Sequence, residues 1–118
     1  MSVTETTIDA ILNAIKQEIA ERERMADNAM HSIRKFNTTT EEYKDANLQF
    51  GVNTYIACYL KSIQSVVMGR NPSAVESAIR FHHYQQHSKG NLNDHRDISL
   101  GQAAVAVILG GYIERFFD

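Results

Sequence analysis

The sequence predicts an all-α protein, a compact bundle of about four helices in a single domain covering residues 1–118, and three observations carry that expectation. Apolar residues recur at spacings of three and four over most of the chain. Side chains able to cap helices stand where those runs begin. The one stretch with strand-like β-branching, Ala103 to Leu109 with a turn possible at Gly110-Gly111, has no partner strand elsewhere.

The first helix is expected from Thr4 to about Phe36. Its stripe is Ile8, Ile11, Leu12, Ile15, Ile19, Ala26, Ala29, Met30, Ile33 and Phe36. Thr4, Thr6 and Thr7 offer capping oxygens, Asp9 suits the positive end of the helix, and Glu18 with Arg22 forms an i,i+4 pair. The stripe weakens between Ala20 and Met25, where Arg22 and Glu23 take positions the pattern assigns to core residues. A kink is expected there or near Asp27-Asn28.

Asn37-Thr38-Thr39-Thr40 breaks the pattern, and Thr39 with Glu42, or Thr38 with Glu41, reads as a capping box opening the second helix. Tyr43, Ala46, Phe50, Ala57, Leu60, Ile63 and Val67 carry it to Gly69, while Leu48, Val52, Tyr55, Ile56, Tyr59 and Val66 form a second apolar series beside the first. One partner helix would not cover so broad a surface. Asn71-Pro72 caps and starts a third helix, which Val75, Ala78, Ile79 and His82 extend to about His87. Ser88 to Asp97 then reads as a polar loop, and Ser99 with Gln102 as the capping box of a fourth helix from Leu100 to Phe117. Val105, Val107, Ile108, Leu109, Tyr112, Ile113, Phe116 and Phe117 make that helix apolar on nearly every side.

Composition narrows the function classes. Apolar residues are 43% and charged residues 22% of the chain, which suits a folded core. Twelve Lys plus Arg against 14 Asp plus Glu give a net charge of −2, so no global field draws the chain to nucleic acid or an anionic membrane. The opening Met1-Ser2-Val3-Thr4-Glu5 lacks the basic and apolar regions of a secretory signal, and the longest apolar run, Ala103 to Ile113, is well short of the roughly 18 residues a membrane span requires. A cytoplasmic protein with no membrane partner is expected.

Two geometric considerations point to self-association. A helix from Thr4 to Phe36 would be roughly 50 Å long, against a diameter near 35 Å for a globule of this size, and its overhang would expose Ile8, Ile11, Leu12 and Ile15. An all-round apolar fourth helix also needs covering, and Ala106, Gly110, Tyr112, Ile113, Phe116 and Phe117 are the residues expected to meet a second copy. Gly101, Ala103 and Gly111 would allow close backbone approach.

Candidate chemistry is sparse. His83 and His87 have the i,i+4 spacing of a zinc pair, with His95, Asp94 and Asp97 in the following loop as further ligands. The pair lacks the glutamate of an HExxH motif and continues a polar face with Glu76 and Arg80, so the expected reading is no metal, with His82 partly buried and His83 and His87 exposed. Glu41-Glu42-Tyr43-Lys44-Asp45 approaches the EExxE of helical pyrophosphohydrolases, but no ExxD follows, and acidic residues belong at a helix start. Cys58 sits in an apolar stretch where a small buried thiol is expected. With no glycine pattern for phosphate and no GxSxG elbow, no cofactor and no enzymatic activity are expected. Nucleic-acid binding would have to use Arg22, Arg24, Arg34 and Lys35, or Arg70, Arg80, Lys89 and Arg96.

In Ile15 to Phe36 (IKQEIAERERMADNAMHSIRKF) and in Asn71-Pro72-Ser73-Ala74-Val75-Glu76-Ser77-Ala78-Ile79 the chain resembles the short all-helical accessory proteins of bacteriophages and prophages. The resemblance implies action by binding a host or phage macromolecule and assigns no binding residue. The sequence therefore leads to the expectation of a non-enzymatic, homo-oligomeric interaction protein that modulates a host or defence component. Its contact surface is expected at the end of the third helix and the polar loop: Arg80, His83, Tyr84, His87, Lys89 and Arg96. A nucleic-acid-binding regulator is the alternative, and a metal-dependent hydrolase the third reading.

Overall fold

Helix formation begins where a threonine can close the first turn. The computed structural model describes residues 3–89 and 96–118. Thr4, in extended backbone, accepts the amide proton of Thr7 on its hydroxyl at 3.1 Å, and α1 (Glu5–Ile33) follows. It ends short of Phe36, which stands 41% exposed.

α2 (Glu41–Met68) is capped by Thr40 rather than Thr38 or Thr39: the Thr40 hydroxyl accepts the Tyr43 amide at 3.2 Å and donates to the Asn37 carbonyl at 2.8 Å. Glu41 and Glu42 thus fall in the first turn, where they favour the helix dipole, and neither closes a capping box. Gly69 is the C-cap but stays right-handed at φ −68°, and the left-handed residue is Arg70 at φ 59°. Its guanidinium donates to Glu5 at 3.1 Å and to Asp9 at 2.9 Å, tying this unusual backbone to the first turns of α1.

Asn71 caps α3 (Pro72–Lys89) through its Oδ1, which accepts the Ala74 amide at 3.1 Å. α4 (Arg96–Phe116) opens four residues before Leu100, so Ser99 and Gln102 lie inside the helix and not at its cap. The first turn of α4 makes a contact the local sequence does not show: the Asp97 side chain packs on α2 at Gly51, where an added Cβ would lie 2.7 Å from Asp97 Oδ2. Both ends of the expected polar loop are therefore helical, and residues 90–95 lie outside the described residues. The described residues contain no strand, and Ala103 to Leu109 is helical.

α2 is the middle of the bundle. Its Val52, Ile56, Leu60, Ile63 and Val67 meet Ile8, Ile11, Ile15 and Ile19 of α1, and join Val75 and Ile79 of α3 with Val105, Leu109 and Tyr112 of α4 in one core. Its two apolar series are thus covered by three helices except at Val66, which stays exposed. Each fully buried Ile or Leu contributes about 1.5–3 kcal/mol relative to exposure. Arg22 interrupts the α1 stripe because it faces a polar partner: its Nη1 donates at 3.1 Å to Oδ1 of Asn53, which is 1% exposed and donates in turn to the Gln49 carbonyl. Glu23 turns outward to Lys61.

The expected overhang is corrected by the shape of the molecule. Extents of 52 × 27 × 19 Å make it elongated, and α1, about 43 Å long at 1.5 Å per residue, lies within the long axis beside α2. Ile8, Ile11 and Ile15 are 0% exposed, covered by the chain's own helices.

Candidate functional site

The α3–α4 hairpin positions most of the residues singled out from sequence, and glycines set how closely its helices approach their neighbours. An added Cβ at Gly110 would lie 3.1 Å from Cε1 of His83, and one at Gly101 only 2.5 Å from Cδ1 of Tyr55. Gly101, Ala106 and Gly110 therefore serve contacts within the chain. Half-buried His83 hydrogen-bonds through Nδ1 to the Ala106 carbonyl at 2.9 Å. A carbonyl only accepts, so His83 donates from Nδ1.

Beneath this contact lies a band of polar side chains joining three helices. The Tyr55 hydroxyl donates to Oε1 of Gln86 at 2.9 Å, the Tyr59 hydroxyl is hydrogen-bonded to His82 Nδ1 at 2.6 Å, and the two tyrosine rings lie 5.9 Å apart. Burial raises both phenols above their ordinary value of 10.0 and lowers His82 below 6.5. Gln102 stands beside Tyr55, and its buried Oε1 has no hydrogen-bond partner among the described residues.

On the outside of α4, Leu100, Ala103, Val107, Gly111 and Glu114 are exposed on one line, with Arg96 before it. At 100° per residue all six positions fall within about 40° of the direction of Val107. Val107 is 75% and Leu100 42% exposed, while an added Cβ at Gly111 would meet nothing within 4 Å. Val107 is a ridge between two grooves. One, of about 360 Å³, runs along α3 past His83, Gln86 and His87; the other, of about 580 Å³, runs along α1 past Gln17, Glu18 and Glu21.

Several expected site residues fall elsewhere. Of the expected self-association set, Ile8, Ile11, Ile15, Ala106, Tyr112 and Phe117 are buried, Leu12, Ile113 and Phe116 are half-buried against the core, and His83 packs on Gly110. The buried ones are occupied inside the chain. Val107, Leu100, Ala103 and Gly111 are what the apolar helix leaves outside. Their signal is present in sequence as the 100, 103, 107, 111, 114 spacing, which can be separated from the rest of an all-round apolar helix only once its neighbours are placed.

The expected contact surface is divided. Arg80 is exposed but held by Glu76 at 3.0 Å and by Asp118 at 3.3 Å, with its guanidinium 5.6 Å from the centre of the Phe117 ring. It therefore sits at the end of α4, about 30 Å along the helix from exposed Arg96 at its start. Tyr84 is 72% exposed, His87 is exposed, and the His87 ring lies 6.2 Å from that of His83. His83 is not on a solvated face, which corrects the expectation of full exposure. The Lys89 side chain, Asp94 and His95 lie outside the described residues.

No group of three His, Cys, Asp or Glu side chains able to hold a metal ion occurs among the described residues. Cys58 is exposed, contrary to expectation, because α2 turns it away from the core into a shallow groove with Glu23, Asp27 and Lys61. Many of the cations face carboxylates: Arg22 to Glu18, Arg24 to Glu21, Lys44 to Glu41 and Arg70 to Glu5 and Asp9. No helix among the described residues is long and apolar enough to cross a membrane. A further groove, of about 540 Å³ between α1 and α2, is lined by Arg24, Asn28, Phe36, Glu42 and Asp45, among others. No protein-family model, curated protein or solved structure matches the chain.

Proposed function

We propose that the protein is a non-enzymatic, cytoplasmic interaction protein that acts as an oligomer, modulating a host or defence component by binding it, as expected of a phage or prophage accessory protein. Its contact face is the outside of the α3–α4 hairpin. One observation carries this reading: Val107, a β-branched apolar residue, stands 75% exposed at the centre of a straight apolar line flanked by two grooves. Exposed Tyr84 and His87 on α3 add aromatic surface of the kind enriched at protein interfaces. Nucleic-acid binding is less well supported, since Arg22, Arg24, Arg70 and Arg80 already face carboxylates that cancel their field.

The test compares tagged wild type with Val107→Glu, Tyr84→Ala and, as a control at an exposed residue of α2, Met68→Ala. A stoichiometric protein recovered with wild type and Met68→Ala, and lost with the other two, is expected. Nucleic acid recovered equally with all four would contradict the reading.

A further inference from the structure

We infer that His83 and His87 bind one divalent transition-metal ion of the zinc, nickel and copper class in the groove between α3 and α4. The site needs no partner protein, and it holds whatever the outer face of α4 contacts.

Three histidines stand within six residues of α3, and the fold separates them. His82 turns to α2, where its Nδ1 is hydrogen-bonded to the Tyr59 hydroxyl at 2.6 Å. His83 and His87, one helical turn apart, line the groove of about 360 Å³ along α4 together with Gln86 and Ala106. Half-buried against Gly110, His83 donates from Nδ1 to the Ala106 carbonyl at 2.9 Å. Metal-bound histidines almost always make a bond of this kind, which fixes the ring and strengthens the other nitrogen as a ligand. Nε2 of His83 is thereby the nitrogen left for an ion.

His87 is exposed, and the two ring centres lie 6.2 Å apart. Imidazoles that share a tetrahedral ion at a metal–nitrogen distance of about 2.0–2.1 Å have ring centres about 5 Å apart, so rotating the His87 side chain to close about 1 Å completes the pair. One turn earlier, the guanidinium of Arg80 is held by Glu76 at 3.0 Å and Asp118 at 3.3 Å, which offsets its repulsion of a cation. Imidazole nitrogens with no carboxylate select zinc, nickel and copper over magnesium and calcium. Two protein ligands are fewer than the three of a catalytic zinc or the four of a structural one, so water fills the remaining positions and the ion exchanges.

Calorimetric titration of the full-length protein with zinc chloride tests the site. One ion per chain is expected in wild type, and equally in Cys58→Ser, which removes the exposed thiol, and in His31→Ala, which removes an exposed histidine of α1. Affinity should fall more than about tenfold in His87→Ala and in His83→Ala. Because His87 is exposed, His87→Ala should keep the circular dichroism and melting of wild type, and it decides the matter even if His83→Ala unfolds. Substoichiometric copper(II), which broadens nearby NMR signals, should bleach the amides of Ala106, Val107 and Gly110 before those of α1. No saturable zinc binding by wild type, unchanged affinity in His87→Ala, loss of binding in Cys58→Ser, or bleaching of α1 first would each overturn the proposal.

Discussion

Two glycines of α4 respond in opposite senses to one methyl group. At Gly101 the new Cβ would sit 2.5 Å from the Tyr55 ring, inside any real contact, so Gly101→Ala must displace α2 or α4 and is expected to cost about 1–3 kcal/mol. At Gly111 there is open space, and Gly111→Ala gains helix propensity, stabilising the monomer by about 0.5–1 kcal/mol. Urea unfolding at dilute protein concentration measures both; shifts of the same sign would show that the α2–α4 approach is looser than described. His82 supplies a pH dependence at the same scale. Burial lowers its pKa below 6.5, so above that value the ring is neutral both folded and unfolded. As pH falls through 6.5 the unfolded ring takes its proton first, and the fold loses stability. His82→Gln should flatten that loss below pH 6.5 relative to wild type. Parallel curves for the two proteins would place the acid sensitivity elsewhere.

Helix boundaries and the one polar break in the α1 stripe belong to the scale of elements. Thr40 holds the first turn of α2, so Thr40→Ala should cost about 1 kcal/mol while Thr39→Ala changes little, as thermal unfolding can show. The reverse order would restore the capping box expected from sequence. Arg22→Ala leaves Asn53 Oδ1 buried without its partner, at about 1–3 kcal/mol. The paired change Arg22→Met with Asn53→Leu removes both polar ends together, and should recover most of that loss in urea unfolding. The caps at Thr4 and Asn71 are legible in sequence because each is decided within three residues. The start of α4 is not: it lies before the expected cap, and its Asp97 packs on Gly51 across the bundle, a contact no local pattern shows. His83 is illegible for the same reason: its acceptor, the Ala106 carbonyl, belongs to the next helix.

Across the whole molecule, helix number and order follow from apolar spacing, but shape does not. A spherical estimate makes α1 too long for its own domain, whereas pairing α1 with α2 lengthways produces a 52 Å body that contains it. This change moves the candidate interface: Ile8, Ile11 and Ile15 become core, while Val107 and Leu100 stand exposed on the outside of α4. That face was only half legible. The excess of apolar residues on α4 is visible in the sequence, but which of them remain outside depends on Tyr55 filling the space at Gly101 and His83 that at Gly110.

The central claim, that the protein acts as an oligomer through the outer face of α4, is tested most directly by sedimentation of wild type and Val107→Glu across the micromolar range. A residue 75% exposed contributes little to the core, so the variant should fold with unchanged circular dichroism and melting behaviour. Wild type is expected to rise with concentration from the 13.3 kDa monomer towards twice that mass, and Val107→Glu to remain at the monomer mass throughout. Identical concentration dependence in the two proteins, both monomeric or both dimeric, would contradict the account.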